Sequence, residues 1–329
     1  MGGAAQPIPR HDVTRGDFPD LPSLRAGGKP GLARALARLE RAAGTADAAR
    51  LLDAADAAPK GEVLGLTGPP GVGKSTLTGA LVRMFRDRGL TVGVVAVDPS
   101  STRSGGALLG DRARIPSDPE DGGLFIRSFA ARDRLGGLSE LAFGAVVLMR
   151  ALFDRVIVET VGVGQSEADV ALVGDTILLA VQPASGDALQ FIKAGVMELP
   201  DVVAVTKADI GPAARRARDE LESALTLASR EEAGWTSPVA LISSQTGEGL
   251  DALAGHLSAH SAFMRQDGRL ERRRQVQAEA RIEAALRSRF GTEGVRAARR
   301  SGVLGSNGGP FSREAAAANL LADRLQSAR

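Results

Sequence analysis

The sequence predicts an α/β protein with a mostly parallel central sheet flanked by helices. Three observations point there. Between residues 61 and 250, short β-rich runs alternate with stretches of helical period. Those runs are apolar almost throughout rather than at every second position, as expected of strands covered on both faces. Strand signals stop after residue 250, and the remainder reads as helix.

Taken in order, residues 1–30 are rich in proline, glycine and charge and read as a loose lead-in. Residues 31–57 carry apolar positions at helical spacing and predict one or two amphipathic helices. Seven strands follow, over 63–66, 92–97, 124–127, 156–159, 176–181, 202–206 and 238–242. Helical patterns separate them at 74–88, 137–152, 186–199 and 212–233. Residues 250–290 read as helix and 291–309 as broken or looped. A last helix is expected over 313–327, with Ser312 as its N-cap. This predicts an N-terminal lead-in with a helical extension (1–60), a sheet domain (61–260) and a C-terminal helical arm (261–329).

Composition narrows the functions. The 329 residues contain no cysteine, which excludes disulfides, thiolate metal sites and cysteine nucleophiles. Absence of cysteine is compatible with a reducing compartment. No apolar run approaches the roughly 18 residues of a membrane-spanning helix, and the N-terminus lacks a signal-peptide pattern. A cytoplasmic protein is expected, with no membrane partner. Lys+Arg is 41 and Asp+Glu 39, yet only five of the cations are lysine: Lys29, Lys60, Lys74, Lys193 and Lys207. In so arginine-rich a chain, a surviving lysine suggests a need for a compact ammonium.

The sharpest motif is Gly68-Pro69-Pro70-Gly71-Val72-Gly73-Lys74-Ser75, followed by Thr76. It fits G-x-x-x-x-G-K-[ST] in full and lies between a predicted strand and an amphipathic helix. Its glycines let backbone N–H groups turn inward around phosphates, and the helix N-terminus adds positive potential. Lys74 is placed to reach the β- and γ-phosphates, and Ser75 to ligate Mg²⁺. The fold expectation thereby becomes a P-loop NTPase.

A second motif selects the base. The strand over 202–206 runs into Thr206-Lys207-Ala208-Asp209. A carboxylate at the fourth position can accept from both the N1–H and the exocyclic amine of guanine, and the lysine stem can flank the ring. Threonine replaces the more common asparagine at the first position, but its hydroxyl can still bond to the phosphate loop. One strand later, Ser243-Ser244-Gln245 opens a loop where guanine-binding folds place a further base contact. GTP or GDP is therefore expected in preference to ATP. Two apolar strands end in carboxylates, Asp98 and Glu159, which would face Mg²⁺ and its water shell at the carboxyl edge of the sheet. The Gly162 N–H, just beyond Glu159, could contact the γ-phosphate. Residues 99–118 are rich in Ser, Gly and Arg and have no period, as a mobile switch or a solvated loop would.

The phosphate loop, A-V-D-P-S-S-T-R-S-G-G-A-L-L-G-D-R-A-R over 96–114, V-E-T-V-G-V-G-Q-S-E over 158–167, G-D-A-L-Q-F-I-K-A-G over 186–195 and T-K-A-D together resemble the methylmalonyl-CoA mutase-associated GTPases. These are G-protein chaperones of adenosylcobalamin-dependent acyl-CoA mutases. The similarity spans about residues 31–328, with departures at Ala184-Ser185 and Ser244. It implies that Asp98 and Asp111 are switch carboxylates handling Mg²⁺ and the attacking water, with Glu159 near the metal. It implies a third switch over 184–195, in which Lys193 swings toward the phosphates when the mutase is bound and Asp187 and Gln190 hold it. It further implies a homodimer through the C-terminal helices, with an acyl-CoA mutase and a cobalamin adenosyltransferase as partners.

Other features carry less. Residues 265–300 hold 11 arginines against five acids, with only Phe290 interleaved, which favours a solvated or partner-docking face over a nucleic-acid patch. His256 and His260 stand at helical i, i+4 spacing but lack soft neighbours, and Trp235 is expected to pack at a helix end. The alternative function is a metallocentre-assembly GTPase of the nickel-insertion class. It is opposed by the absence of cysteine and the presence of only three histidines.

Overall fold

The computed structural model describes residues 18–98, 118, 120–130, 138–160, 169–183, 200–228, 234–305 and 307–327, and the backbone but not the side chain of Asp98. All seven expected strands form: β1 (Glu62–Thr67), β2 (Val92–Asp98), β3 (Leu124–Ala130), β4 (Arg155–Glu159), β5 (Thr176–Val181), β6 (Val202–Val205) and β7 (Val239–Leu241). They make one sheet in the order β3-β2-β4-β1-β5-β6-β7. Every pairing is parallel. The apolar runs explain this: Val156, Ile157, Val158, Leu178 and Val202 are buried from both faces.

Helices α4 (Lys74–Asp87), α5 (Glu140–Leu152), α6 (Pro212–Ala228) and α7 (Leu250–Met264) cover the sheet. Helix α4 and α7 pack on one face through Leu77, Leu81, Leu253 and Leu257. On the other face lies α5, begun by Ser139, whose hydroxyl accepts from the Ala142 N–H. Three N-terminal helices join α5 there: α1 (Leu21–Ala26), α2 (Gly28–Arg41) and α3 (Ala46–Ala57). Ordered helix therefore begins inside the expected loose lead-in. Asp20 caps α1, Leu24 is buried, and Arg25 Nη2 donates to the Ala151 carbonyl, so a Pro- and Gly-rich stretch is held by tertiary contacts.

The C-terminal part also differs from expectation. The helical stretch over 250–290 is broken at 265–268, where Asp267 takes a left-handed φ of 53°. Helix α8 (Arg269–Ser301) is broken at Gly291 (φ 67°, ψ −175°), where the break was expected, but is helical again from there to Ser301. It resumes because Val295 and Ala298 pack on Ala317, Ala318 and Leu321 of α9 (Pro310–Ser327). Helix α9 starts two residues before Ser312. The carboxylate of Asp53, from α3, accepts from the Phe311 and Ser312 N–H groups at 2.8 and 3.0 Å. A cap supplied from 258 residues away leaves no local signature. Gly309 permits it, since a Cβ there would lie 2.3 Å from Asp53.

Many arginines of the basic stretch are spent internally. Arg273 pairs with Asp201, Arg274 with Asp175, Arg281 with Glu314 and Arg299 with Glu283. The first two tie α8 to the amino-terminal edge of the sheet. Asp201, at the start of β6, also meets His260 Nε2 at 3.2 Å. Burial alone would raise its carboxyl, but the His260 hydrogen bond and the Arg273 charge hold it below the usual carboxylate range. His260 is 1% exposed, with Nδ1 2.8 Å from the Thr176 hydroxyl, and serves the core. Trp235 packs against His260 and Phe263 of α7. Among the described residues, no helix is long and apolar enough to cross a membrane.

Candidate functional site

The carboxyl ends of β1, β4, β5, β6 and β7 converge on the glycine-rich loop between β1 and α4. Its shape is set by residues that a side chain would obstruct. Gly68 has φ 142°, and a Cβ there would stand 2.1 Å from the Ala180 carbonyl oxygen. Gly73 has φ 96° and precedes α4, whose first turn receives no side-chain cap. N–H groups at such a helix start suit an anion. Lys74 is 7% exposed, and its Nζ donates to the carbonyls of Gly68 and Pro69 at 2.7 and 3.0 Å, at the mouth of the loop.

Parallel pairing sets Leu66 beside Glu159, so the end of β4 reaches the base of the loop. The Ser75 hydroxyl donates to Glu159 Oε1 at 2.6 Å, and the Thr78 hydroxyl to Oε2 at 2.6 Å. Glu159 is 3% exposed and Thr78 fully buried. A buried carboxylate held by two hydroxyls keeps one orientation. Beside it, Thr160 Oγ1 donates to Thr67 Oγ1 at 3.2 Å. The serine and carboxylate oxygens form a hard donor set that fits Mg²⁺ or its water shell.

The other half of the site stands on β6 and β7. The Thr206 hydroxyl lies 2.9 Å from the Val72 carbonyl and 3.0 Å from that of Val181, linking the phosphate loop, β5 and β6. Lys207 adopts a left-handed backbone (φ 57°, ψ 43°), a conformation that costs a non-glycine residue about 1 kcal/mol. Its Nζ donates to Gln182 Oε1 at 2.7 Å and reaches the Gly71 carbonyl at 3.4 Å. Asp209 is exposed on the short turn Ala208–Ile210. That turn is pinned by the Ala208 N–H to the Ile242 carbonyl at 2.9 Å. Ser243 is buried, and its N–H and carbonyl bond to the Glu248 carbonyl and Gly247 N–H, closing a tight loop beside the turn. Ser244 is half-buried and Gln245 exposed.

The structure thus brings the phosphate loop (Gly68, Gly71, Val72, Gly73, Lys74, Ser75 and Thr76), Glu159, Thr206, Lys207, Asp209 and residues 243–245 to one edge. Asp98 ends β2 at the same edge, in register with Ala130. Asp111, Gly162, Asp187, Gln190 and Lys193 lie outside the described residues. Sequence reasoning missed Thr78 and Gln182. Thr78 stands one helical turn beyond Ser75 on the same face, a spacing that could have revealed it. Gln182 meets Lys207 only through the pairing of β5 with β6, and local sequence carries no sign of that. A separate open cleft lies between α3, α5, α8 and α9, lined by Leu52, Arg281, Phe311 and Glu314. Its chemistry is apolar walls and an internal ion pair, so we place the functional site at the phosphate loop.

Comparison with known proteins fits this geometry. Residues 32–298 match the family described as methylmalonyl-CoA mutase-associated GTPase MeaB. A Pyrococcus horikoshii relative named as a GTPase is 42% identical over 231 residues, 68% of this chain and 71% of its own. The mouse mitochondrial methylmalonic aciduria type A homolog is 41% identical over 218 residues, 65% of this chain and 52% of its own. A crystal structure described as a LAO/AO transport system kinase superposes with a TM-score of 0.65 at 29% identity, covering 93% of this chain and 96% of the other.

Proposed function

Because this chain belongs to the methylmalonyl-CoA mutase-associated GTPase family, we propose that its GTP hydrolysis gates cobalamin loading or protection of an adenosylcobalamin-dependent acyl-CoA mutase. The observation that carries the reading is the family match across residues 32–298, supported by a described edge that gathers the glycine-rich loop, Thr206, Lys207 and Asp209. The loop N–H groups cradle the phosphates, and Lys74 turns from its own loop carbonyls to the β- and γ-phosphates. Asp209 accepts from the guanine N1–H and amine, the Lys207 stem flanks the base, and the 243–245 loop closes over its far side. Thr206 fixes the distance between the two halves.

Mg²⁺ would be held by Ser75 and, through water, by Glu159, with Asp98 and Asp111 as further carboxylates; it would neutralise charge developing on the phosphates. Thr78 keeps Glu159 in place when Ser75 gives up its hydrogen bond. Gly162 contacts the γ-phosphate. The segment 184–195 acts as a partner-sensitive switch: Lys193, steadied by Asp187 and Gln190, moves toward the phosphates and stabilises transition-state charge as an arginine finger does. The C-terminal helices make a homodimer, and a cobalamin adenosyltransferase is a further partner.

Nickel delivery is the weaker reading, since the sequence has no cysteine and one of its three histidines, His260, is buried in the core. The test is GTP turnover with and without a purified acyl-CoA mutase. Turnover should be slow alone, rise at least tenfold with the mutase, and lose that rise in Lys193→Ala. No stimulation by any acyl-CoA mutase would sink the chaperone reading and leave the GTPase intact.

A further inference from the structure

We infer that Gln182 is a positioning residue for guanine-nucleotide affinity: its side-chain oxygen fixes the ammonium of Lys207 so that the lysine stem is stretched along the base-binding face. The inference deepens the proposed nucleotide site and rests on that reading.

The geometry is specific. Gln182 follows the last residue of β5, and Lys207 begins the turn after β6. These strands pair with Val181 opposite Val205, so the two side chains leave the same sheet edge as neighbours. The Lys207 ammonium lies 2.7 Å from Gln182 Oε1 and 3.4 Å from the Gly71 carbonyl. Its backbone is confined in a left-handed conformation at the other end. Lys207 is exposed, and an exposed lysine ordinarily explores many rotamers. Here the main chain and the tip are both fixed, so the four-carbon stem between them has little freedom left. A stem already extended at the site gives up less conformational entropy when a base lies against it, which is preorganisation of a binding surface.

The amide oxygen of glutamine suits this task. It accepts from the ammonium without bringing a negative charge next to the phosphate loop, where a carboxylate would oppose an incoming polyphosphate. A glutamate would hold the lysine as well but repel the nucleotide. A methionine of similar length would fill the space without accepting a hydrogen bond.

The test is a double-mutant cycle on GDP and GTP affinity, with unfolding midpoints measured in parallel. Gln182→Met should weaken both nucleotides about threefold to tenfold, as expected when one rotamer-rich side chain must be immobilised on binding, while leaving kcat at saturating GTP within about twofold. Lys207→Ala should weaken binding further. In the Lys207→Ala background, Gln182→Met should then have no effect, because the group it orients is gone. Gln182→Glu should lose affinity for GTP more than for GDP, since GTP carries the extra charge. A structural role alone would shift the unfolding midpoint and persist in the Lys207→Ala background. Additive losses, or unchanged affinity in Gln182→Met, overturn the inference and leave the site reading standing. Unchanged affinity in Lys207→Ala overturns both.

Discussion

The two ends of the site are built in opposite ways. At the proposed phosphate end, the polar side chains are buried and held in place: Lys74 on the loop carbonyls, and Ser75 and Thr78 on the two oxygens of Glu159. At the base end, Lys207, Asp209 and Gln245 are exposed. There the positioning falls mainly to the backbone, through the left-handed Lys207, the Ala208–Ile242 hydrogen bond and the closed loop after Ser243, with Gln182 Oε1 holding the Lys207 ammonium. The contrast fits the ligands proposed for the two ends. Phosphate chemistry needs fixed charge at low dielectric. A flat base needs edge acceptors and an open slot, which can remain in water until the base arrives. Damage at the phosphate end should therefore reach stability as well as activity, whereas damage at the base end should change affinity and selectivity alone.

The largest effect should come from Lys74→Ala, which removes the cation nearest the transferred phosphate. It should lower kcat/KM for GTP about a thousandfold, roughly 4 kcal/mol of transition-state stabilisation, as read by phosphate release. Asp209→Asn should break the contrast from the other side. Losing an acceptor for two guanine donors should cost about 2–3 kcal/mol, near a hundredfold in GTP affinity, with improved binding of xanthosine nucleotides, whose 2-carbonyl accepts from the new amide. Its unfolding midpoint should stay put. Thr78→Val keeps the shape but leaves a buried carboxylate oxygen without its donor, so chemical denaturation should show about 1–3 kcal/mol lost, with rescue by Thr78→Ser. An unchanged midpoint would erase the distinction between the two ends. Thr206→Val, at the junction, should lose about 1 kcal/mol in each property.

The smallest effect on nucleotide binding lies away from the site. The Asp201 carboxyl is held below its usual range by His260 and Arg273, against the opposing pull of burial. A carboxyl depressed in the folded state contributes stability that is complete above its unfolded value, about 3.9, and is lost as pH falls through the lower folded value. Asp201→Asn should therefore flatten the acid limb of the stability profile below about pH 4 while leaving nucleotide affinity unchanged.

This division also explains what the sequence disclosed. The strands were legible because continuous apolar runs have one economical explanation, a sheet buried on both faces. The phosphate loop was legible because its glycines are dictated by local backbone geometry. The placement of Thr206 and Asp209 beside the loop was legible because a short motif follows an apolar strand run. The break at Gly291 was legible from its glycine, but the helical turn-back to Ser301 and the start of α9 were not, because their causes are tertiary: packing on α9, and Asp53 capping α9 from α3. Gln182 was hidden for the same reason. Among the scarce lysines, Lys74 and Lys207 both stand at the carboxyl edge of the sheet, beside the glycine-rich loop. Lys60 instead pairs with Asp154 at the opposite edge, 3.1 Å away, so scarcity alone does not mark a lysine for the proposed site.

The account's central claim is a preformed phosphate end joined to a guanine-selective base end. Equilibrium competition against a fluorescent GDP, in Mg²⁺ buffer, tests it most directly. GDP and GTP should displace the probe at least a hundredfold more tightly than ADP and ATP, and Asp209→Asn should collapse that ratio while the midpoint of unfolding holds. Equal displacement by ATP and GTP in the unaltered protein would contradict the claim.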